Sequence, residues 1–398
     1  MQELPLTGVR VLDFMQMWAG PHVSEWLSVA GAEVIKVETS LRLDQQRQRN
    51  PPNGSGGFAA LNYGKKSVTL NMNQPEAIEL AKRLAKISDV VTDNFGGPVM
   101  DKWGLGHEAL RRIRPDIVVY TGSGYGRTGP HKELPAYAEI ISAYDGSTAI
   151  NGYPGGGPNT VGFNAWNDGA QATHGVFAIL SALYHRSRTG EGQYIDAAMI
   201  EASVNFQGEL IMDYTINGRI GERVGNRDAV CAPHGGFRCK GEDEWVAIAV
   251  SGDQDWKAFC GVLGNPEWTK SEDFADELSR WKNQEELNSH IEEWTKQHGH
   301  AEVMDLLQKA GVAAGAGWCT PELLDDPQLK YRDFFVKAGH PVIGDAELPG
   351  IPWHLSDSPR GNYRHSPLLG EHNAYVFGEL LSIPEDEIKR LVEKKVIC

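Results

Sequence analysis

The sequence predicts an α/β fold, with a Rossmann-like parallel sheet in a large domain and a smaller α+β domain after it. Three observations carry this. Short β-branched runs alternate with helix-period stretches through the first half of the chain, the signature of βαβ units whose sheet is covered on both faces. The alternation stops near Asn217-Gly218, and polar residues continue to Asp228, which suits a linker. At 398 residues the chain is longer than a single core usually serves.

Residues 9–14 (Val-Arg-Val-Leu-Asp-Phe) read as the first strand, and Ala19-Gly20-Pro21 opens a helix with Trp26, Leu27 and Ala30 at helical spacing. Gly31 ends that helix, and residues 33–38 form a second strand, completing a βαβ unit. Strands then follow at 67–71, 89–92 and 116–120, with helices at 75–87 and, for the most part, 98–113. The glycine-rich segments 122–126 and 155–158 read as loops. Residues 168–185 place Val176, Ile179, Leu180 and Leu183 on one helical stripe. Gly190-Glu191-Gly192 breaks it before a strand at 193–196 and a helix from 197 to about 215. Beyond the linker, residues 236–250 read as an antiparallel hairpin and 256–310 as helical and charged, while 371–396 divide into two short helices at Ile383-Pro384.

Composition excludes several classes of function. Hydrophobic residues make 41% and charged residues 23% of the chain, which fits a folded globular protein and neither disorder nor a fibrous repeat. Lys and Arg total 38 against 53 Asp and Glu, a net charge of -15, so nucleic acid is not an expected partner. No apolar run approaches the ~20 residues of a membrane span, and residues 1–5 lack the start of a signal peptide. A cytoplasmic protein without membrane association is expected. The 5 cysteines form no C-x-x-C pair, and His298 and His300 show no partner at ligand spacing, so neither disulfides nor a metal site is expected.

An acid at the end of the second strand, Glu38, invites a dinucleotide-binding reading, but the turn reads Met17-Trp18-Ala19-Gly20-Pro21-His22 and lacks the glycines that gather amides around a pyrophosphate. Gly64-Lys65-Lys66-Ser67 matches the end of a P-loop only superficially, since a strand follows where a helix is required. Asp168, in Asn167-Asp168-Gly169-Ala170 before a helix, has two readings. It is a helix cap, or a carboxylate nucleophile towards an activated acyl group. Spacing does not decide between them.

Taken together, 6–14 (Leu-Thr-Gly-Val-Arg-Val-Leu-Asp-Phe) with Ala19-Gly20-Pro21, 31–38 (Gly-Ala-Glu-Val-Ile-Lys-Val-Glu), Asp93-Asn94-Phe95, and 123–130 (Ser-Gly-Tyr-Gly-Arg-Thr-Gly-Pro) come in a telling order. With 179–183 (Ile-Leu-Ser-Ala-Leu), 188–193 (Arg-Thr-Gly-Glu-Gly-Gln) and Leu369-Gly370-Glu371-His372, the chain resembles the family III CoA-transferases of the formyl-CoA and carnitine type over nearly its whole length. The resemblance implies an interlocked dimer, with residues 1–225 and 331–398 in the large domain and 226–330 in the small one. It implies acyl-CoA and carboxylic acid substrates, no tightly bound cofactor, and either a homodimer or a heteromer in which this chain is the catalytic subunit. It also implies that Asp168 attacks the donor thioester, giving a mixed anhydride and CoA thiolate, and then carries CoA as an aspartyl thioester to the acceptor. Such exchange keeps the activation of the thioester if water is excluded, and Gly169 with nearby glycine loops could supply amides to the oxyanions.

By the same resemblance, CoA contacts fall on Trp18 and Ala19, on Leu70, Asn71 and Met72, on Asn94, Phe95 and Gly96, on Lys102 where the family keeps a basic residue, and on Tyr137. Trp18 replaces a glutamine of formyl-CoA transferase, and the glycine-run lid of that enzyme has no counterpart near 231–238, which points away from oxalate and formate. The segments 18–22 and 42–44 (Arg-Leu-Asp) look most like the benzylsuccinate CoA-transferase branch, with succinyl-CoA as donor and an aryl-substituted succinate as acceptor. Related acyl-CoA racemases pair a histidine with an aspartate, but Tyr137 stands where their histidine would, and a phenol is a poor base near neutral pH. A non-catalytic CoA-binding subunit is the remaining alternative, and it would need no Asp168.

Overall fold

The computed structural model describes residues 3–48, 53–159 and 166–398. Six strands, β1 (Arg10–Asp13), β2 (Glu33–Glu38), β3 (Lys66–Thr69), β4 (Val90–Asp93), β5 (Val118–Ser123) and β6 (Tyr194–Ala198), form a parallel sheet. Their order is β3-β2-β1-β4-β5-β6. Adjacent residues of each central strand serve opposite faces, so apolar side chains occur at both parities. Val11, Val34, Val90 and Val118 pack with Val23, Leu27, Val176 and Ile179 from the helices Ala19–Val29 and Trp166–Thr189. Their neighbours Leu12, Ile35, Val91 and Val119 pack on the other face with Leu80, Leu84, Leu110, Val376 and Phe377.

The α/β expectation holds, with local differences. The stretch 98–113 is two helices, Val99–Lys102 and His107–Ile113, because Gly104 takes a left-handed turn between them, at φ +65°. β5 runs on through Gly122 to Ser123, which the reading of 122–126 as loop missed, since both residues pair with β6. The stretch 197–215 is interrupted by a 3₁₀ turn at Asn205–Gln207. Near the C-terminus the first expected helix is a π-helical turn, Ala374–Leu380. The hairpin of β7 (His234–Arg238) and β8 (Trp245–Ala249) gains a third antiparallel strand, β9 (Ala313–Ala316). The hairpin of β10 (Phe335–His340) and β11 (Gly344–Pro349) was not anticipated, nor were helices Gly56–Asn62 and Ala138–Tyr144.

Two compact units result, one comprising Met1–Thr148, Thr160–Ile220 and Lys330–Cys398, the other Ala149–Asn159 and Gly221–Leu329. The second has its own core, in which Phe237, Val246, Ile248, Phe259, Leu287, Ile291 and Leu307 pack together.

Glu38, the acid at the end of β2, has an internal use. Its carboxylate accepts two bonds from the Arg47 guanidinium, at 2.7 and 2.9 Å, and one from the Ser67 hydroxyl at 2.7 Å. Arg47 also donates to the Pro367 carbonyl at 2.8 Å and lies over the Phe58 ring. A buried pair of this kind is strongly destabilising to break, because the remaining charge has no solvent. Arg47→Ala is therefore expected to lower stability by about 3–5 kcal/mol in denaturant unfolding; a change below about 1 kcal/mol would show that the pair is not buried in solution.

Candidate active site

In this strand order the chain leaves β1 and β4, which are neighbours, in opposite directions, and the crevice between them is where open α/β sheets bind ligands. The loop after β1 is heavily constrained there. The buried Asp13 carboxylate accepts from the Met15 amide (2.9 Å), the Ser24 hydroxyl (2.6 Å) and the Thr92 hydroxyl (3.0 Å), and Lys65 Nζ lies 3.7 Å away. Lys36 donates to the Met15 carbonyl at 2.5 Å and pairs with Asp44, which accepts from the Met17 amide. Met17 is held in the left-handed region, at φ +73°, a conformation that persists only where its surroundings over-determine it. Asn94 closes the arrangement: its side-chain oxygen accepts from the Gln16 amide (2.9 Å) and its nitrogen donates to the Gln16 carbonyl (2.8 Å). Gly20 permits the close approach, since a Cβ there would lie 2.6 Å from Met15 Cβ and 3.0 Å from the Asn94 side chain.

The helix Ala19–Val29 starts from this loop with no side-chain cap of its own at Trp18. Its first amide, Ala19 N–H, instead donates to Asp168 Oδ1 at 3.1 Å. Asp168 lies in the first turn of the helix Trp166–Thr189, so its carboxylate meets the positive ends of two helices. It does act as a cap, but for another helix, 149 residues away in sequence. Burial, the largest influence, pushes its pKa up to about 6, against the pull of the Ala19 amide, its own backbone amide and His22; Glu139 adds to the rise. The buried Asn167 fixes the start of the helix, accepting from Ser142 (2.9 Å) and donating to Ser203 (2.9 Å) and Asp145 (3.1 Å).

Two residues that the sequence reading passed over belong here. His22 Nδ1 lies 2.7 Å from the carboxylate of Glu25, which is 1% exposed, and the imidazole sits between the rings of Trp18 (5.2 Å) and Trp26 (4.8 Å). The signal was a His and a Glu three apart on a helix beginning at the first strand turn. Arg127 is the other. Its guanidinium donates to the Phe95 and Gly97 carbonyls and its amide to Asp196, fastening the loop after β4.

The remaining expected contacts divide by exposure. Leu70 is 1% exposed within the sheet core, so its side chain cannot reach a ligand, and its amide is used on the Glu38 carbonyl. Asn71 bonds through its amide to Val396 and through its side chain to Lys395, anchoring the C-terminus. The Asn94 side chain is committed to Gln16, which leaves it a positioning role. Met72 and Phe95 are half-buried, Phe95 edge-on to Trp103 at 5.5 Å. Gly96, Lys102 and Tyr137 are exposed, Tyr137 by 52%. In the smaller unit, His298 and His300 do have acidic partners, Glu302 and Glu322, and no group of three metal-donor side chains occurs among the described residues.

The family model of CoA-transferase family III matches residues 6–373. The chain is a family III CoA-transferase. It is 32% identical to the Succinyl-CoA--D-citramalate CoA-transferase of Chloroflexus aurantiacus over 99% of this chain and 98% of that protein. Identity to the beta subunit of the Succinyl-CoA--L-malate CoA-transferase of the same organism is also 32%, over 99% and 98%. Among solved structures, a CAIB/BAIF family protein from Brucella suis superposes with a TM-score of 0.87 at 33% identity, covering 95% of this chain and all of that one.

A raised carboxylate pKa in this CoA-transferase has a stability consequence. Unfolded, Asp168 ionises near its ordinary 3.8, and folded near 6, so between those values the folded state holds the extra proton. Stability attributable to Asp168 therefore falls as pH rises from about 4 to 6 and stays reduced above. Asp168→Asn is expected to raise stability at pH 8 by on the order of 1–2 kcal/mol, with the gain disappearing towards pH 4. Thermal melts of both proteins across that range check this, and a variant less stable at pH 8 would contradict it.

Proposed function

We propose that this CoA-transferase moves CoA from succinyl-CoA to a carboxylic acid through covalent intermediates on Asp168. The observation that carries the reading is the Asp168 carboxylate, held at two helix N-termini at the crevice of the parallel sheet. Asp168 Oδ2 attacks the thioester carbonyl, the C–S bond breaks and CoA thiolate leaves, giving a mixed anhydride. The thiolate then attacks the Asp168 carbonyl carbon, releasing succinate and leaving an aspartyl-CoA thioester. The acceptor carboxylate repeats these steps in reverse order and departs as its own CoA thioester. In each attack on the Asp168 carbonyl, negative charge develops at Oδ1, the atom already bonded to Ala19 N–H, which serves as a preorganised donor. Gly169 follows Asp168 in the same turn, and among the described residues no atom outside its chain neighbours and its own helix backbone lies within 4 Å of where a Cβ would stand. Both reactants arrive from solution, so no bound cofactor is required. We assign the protein to the cytoplasm, where acyl-CoA substrates occur; no helix among the described residues is long and apolar enough to cross a membrane.

Asp168→Ala is expected to lose about a thousandfold or more in kcat, and hydroxylamine is expected to modify Asp168 only when an acyl-CoA is present. Retained turnover in the variant together with an unmodified Asp168 would sink the covalent reading.

For the acceptor, the finer reading is an aryl-substituted succinate such as benzylsuccinate, supported by Trp18, the residue before Ala19, whose indole lies 5.2 Å from the His22 ring. Ring stacking adds roughly 0.5–1.5 kcal/mol beyond burial, so Trp18→Gln is expected to lose up to about tenfold on benzylsuccinate and less on succinate. Equal loss on both acids would leave Trp18 as a CoA contact.

The proposed assembly is the dimer, or a heteromer with a related subunit, and an exposed apolar surface supports it. Phe177, Leu180 and Tyr184 are exposed along one side of the long helix, Leu180 lying off the buried stripe that the spacing gave it, and Phe206, Met212 and Ile216 are exposed within 205–217, more than a lone soluble chain usually leaves in water. Light scattering on the purified chain is expected to give twice the chain mass; a stable monomer would count against self-association.

A further inference from the structure

We propose that His22 is a specificity-determining residue that receives the second carboxylate of a short dicarboxylic acid bound at Asp168. The proposal rests on the aspartyl reading above and goes further by assigning the part of the substrate that does not react. Ala19 and His22 are three apart on one helix, and such side chains are neighbours, with Cβ atoms roughly 5–6 Å apart. The Ala19 amide marks the reacting carboxyl through its bond to Asp168. The His22 imidazole is also near enough to Asp168 to act on that carboxylate electrostatically, which puts it within the proposed reach of a short diacid's chain.

The ring is built in rather than loose. Nδ1 is held at 2.7 Å by Glu25, whose carboxylate is buried, while the Trp18 and Trp26 rings flank the imidazole. The His22 side chain keeps 21% of its surface exposed, and among the described residues Nε2 has no hydrogen-bond partner. With Nδ1 held by the Glu25 carboxylate, Nε2 is the ring nitrogen left to meet a ligand carboxylate. Between indole walls such a polar contact is less screened than in water.

The reaction itself opens this site at the right moment. Among the described residues, the charged groups recorded as acting with His22 are Glu25 on its own helix and Asp168 on the facing one, with Glu139 acting on Asp168 in turn. While Asp168 is a carboxylate, it shares the field of His22. Once Asp168 becomes an anhydride or thioester it is neutral, and a second carboxylate can take its place opposite the imidazole. A monocarboxylic acid has nothing to put there.

The test compares glutarate with butyrate as acceptors, using succinyl-CoA as donor, for the wild type, His22→Ala, His22→Gln and His22→Arg. The wild type is expected to prefer glutarate. Both neutral variants are expected to lower the glutarate-to-butyrate ratio of kcat/KM about tenfold or more, chiefly through KM, and His22→Arg to restore most of it. Equal losses on the two acids, or no dicarboxylate preference in the wild type, would overturn the assignment. Preference in the wild type is read without any variant, so a misfolded substitution does not protect the proposal. Hydroxylamine modification of Asp168 by donor alone separates the two readings. If modification occurs and the preference is absent, only the His22 assignment fails; if modification never occurs, the aspartyl chemistry fails first.

Discussion

A carboxylate buried without solvent must find donors or an opposite charge, and at the end of β1 Asp13 finds three donors and one ammonium on four separate pieces of chain. The Met15 amide, the Ser24 and Thr92 hydroxyls and the Lys65 ammonium converge on it, joining the first loop, the first helix, the neighbouring strand and the approach to β3. Lys65 is itself buried, its pKa pulled down to about 8 by desolvation against the opposing pull of Asp13, and it donates to the Pro21 carbonyl and the Asn62 side chain. A half-satisfied network of this kind would be worse than an apolar core. With its donors in place it gives the loop a single geometry, and that geometry places the Ala19 amide.

Everything at the crevice inherits this placement. The left-handed Met17, the close approach at Gly20 and the two-way Asn94–Gln16 pairing are consequences of turning the chain sharply from strand to helix with little room. The result is a helix whose first amide points at a side chain from another element. An uncapped helix start is an unsatisfied donor site, and Asp168 satisfies it.

Much of the sheet was legible because its cause is local. Val11 and Leu12, Val34 and Ile35, and Val90 and Val91 are apolar at both parities, and only a strand covered on both faces needs that. The candidate site was legible in a different way. Nothing in the spacing around Asp168 distinguished cap from nucleophile; the order of motifs along the chain, shared with a known family, singled it out. What stayed hidden was long-range pairing. Asn94 looks like a free amide in sequence, yet its partner lies 78 residues away, and Leu70 stands among ligand-contact positions although its side chain is core. The β10–β11 hairpin escaped notice because Lys337, Gly339, Asp345 and Glu347 interrupt its apolar pattern.

The degree of burial at Asp168 is matched to the chemistry proposed for it. A fully exposed carboxylate would be strongly hydrated and therefore a poor nucleophile, and the water around it would hydrolyse an anhydride. A fully buried one would pass neutrality and hold its proton, having no nucleophilic lone pair to give at working pH. The half-buried position, with one oxygen on Ala19 N–H and the positive ends of two helices beneath it, lies between these limits, at a pKa of about 6. At neutral pH such a group is largely ionised, yet it is more basic than an ordinary carboxylic acid, which favours the proposed attack on a thioester. In the proposed mechanism the same amide is placed for the charge that returns to Oδ1 when thiolate attacks. One hydrogen bond would then hold the ground-state anion and meet the oxyanion, so the loop fixed by Asp13 would set the reactivity proposed for a residue on another helix.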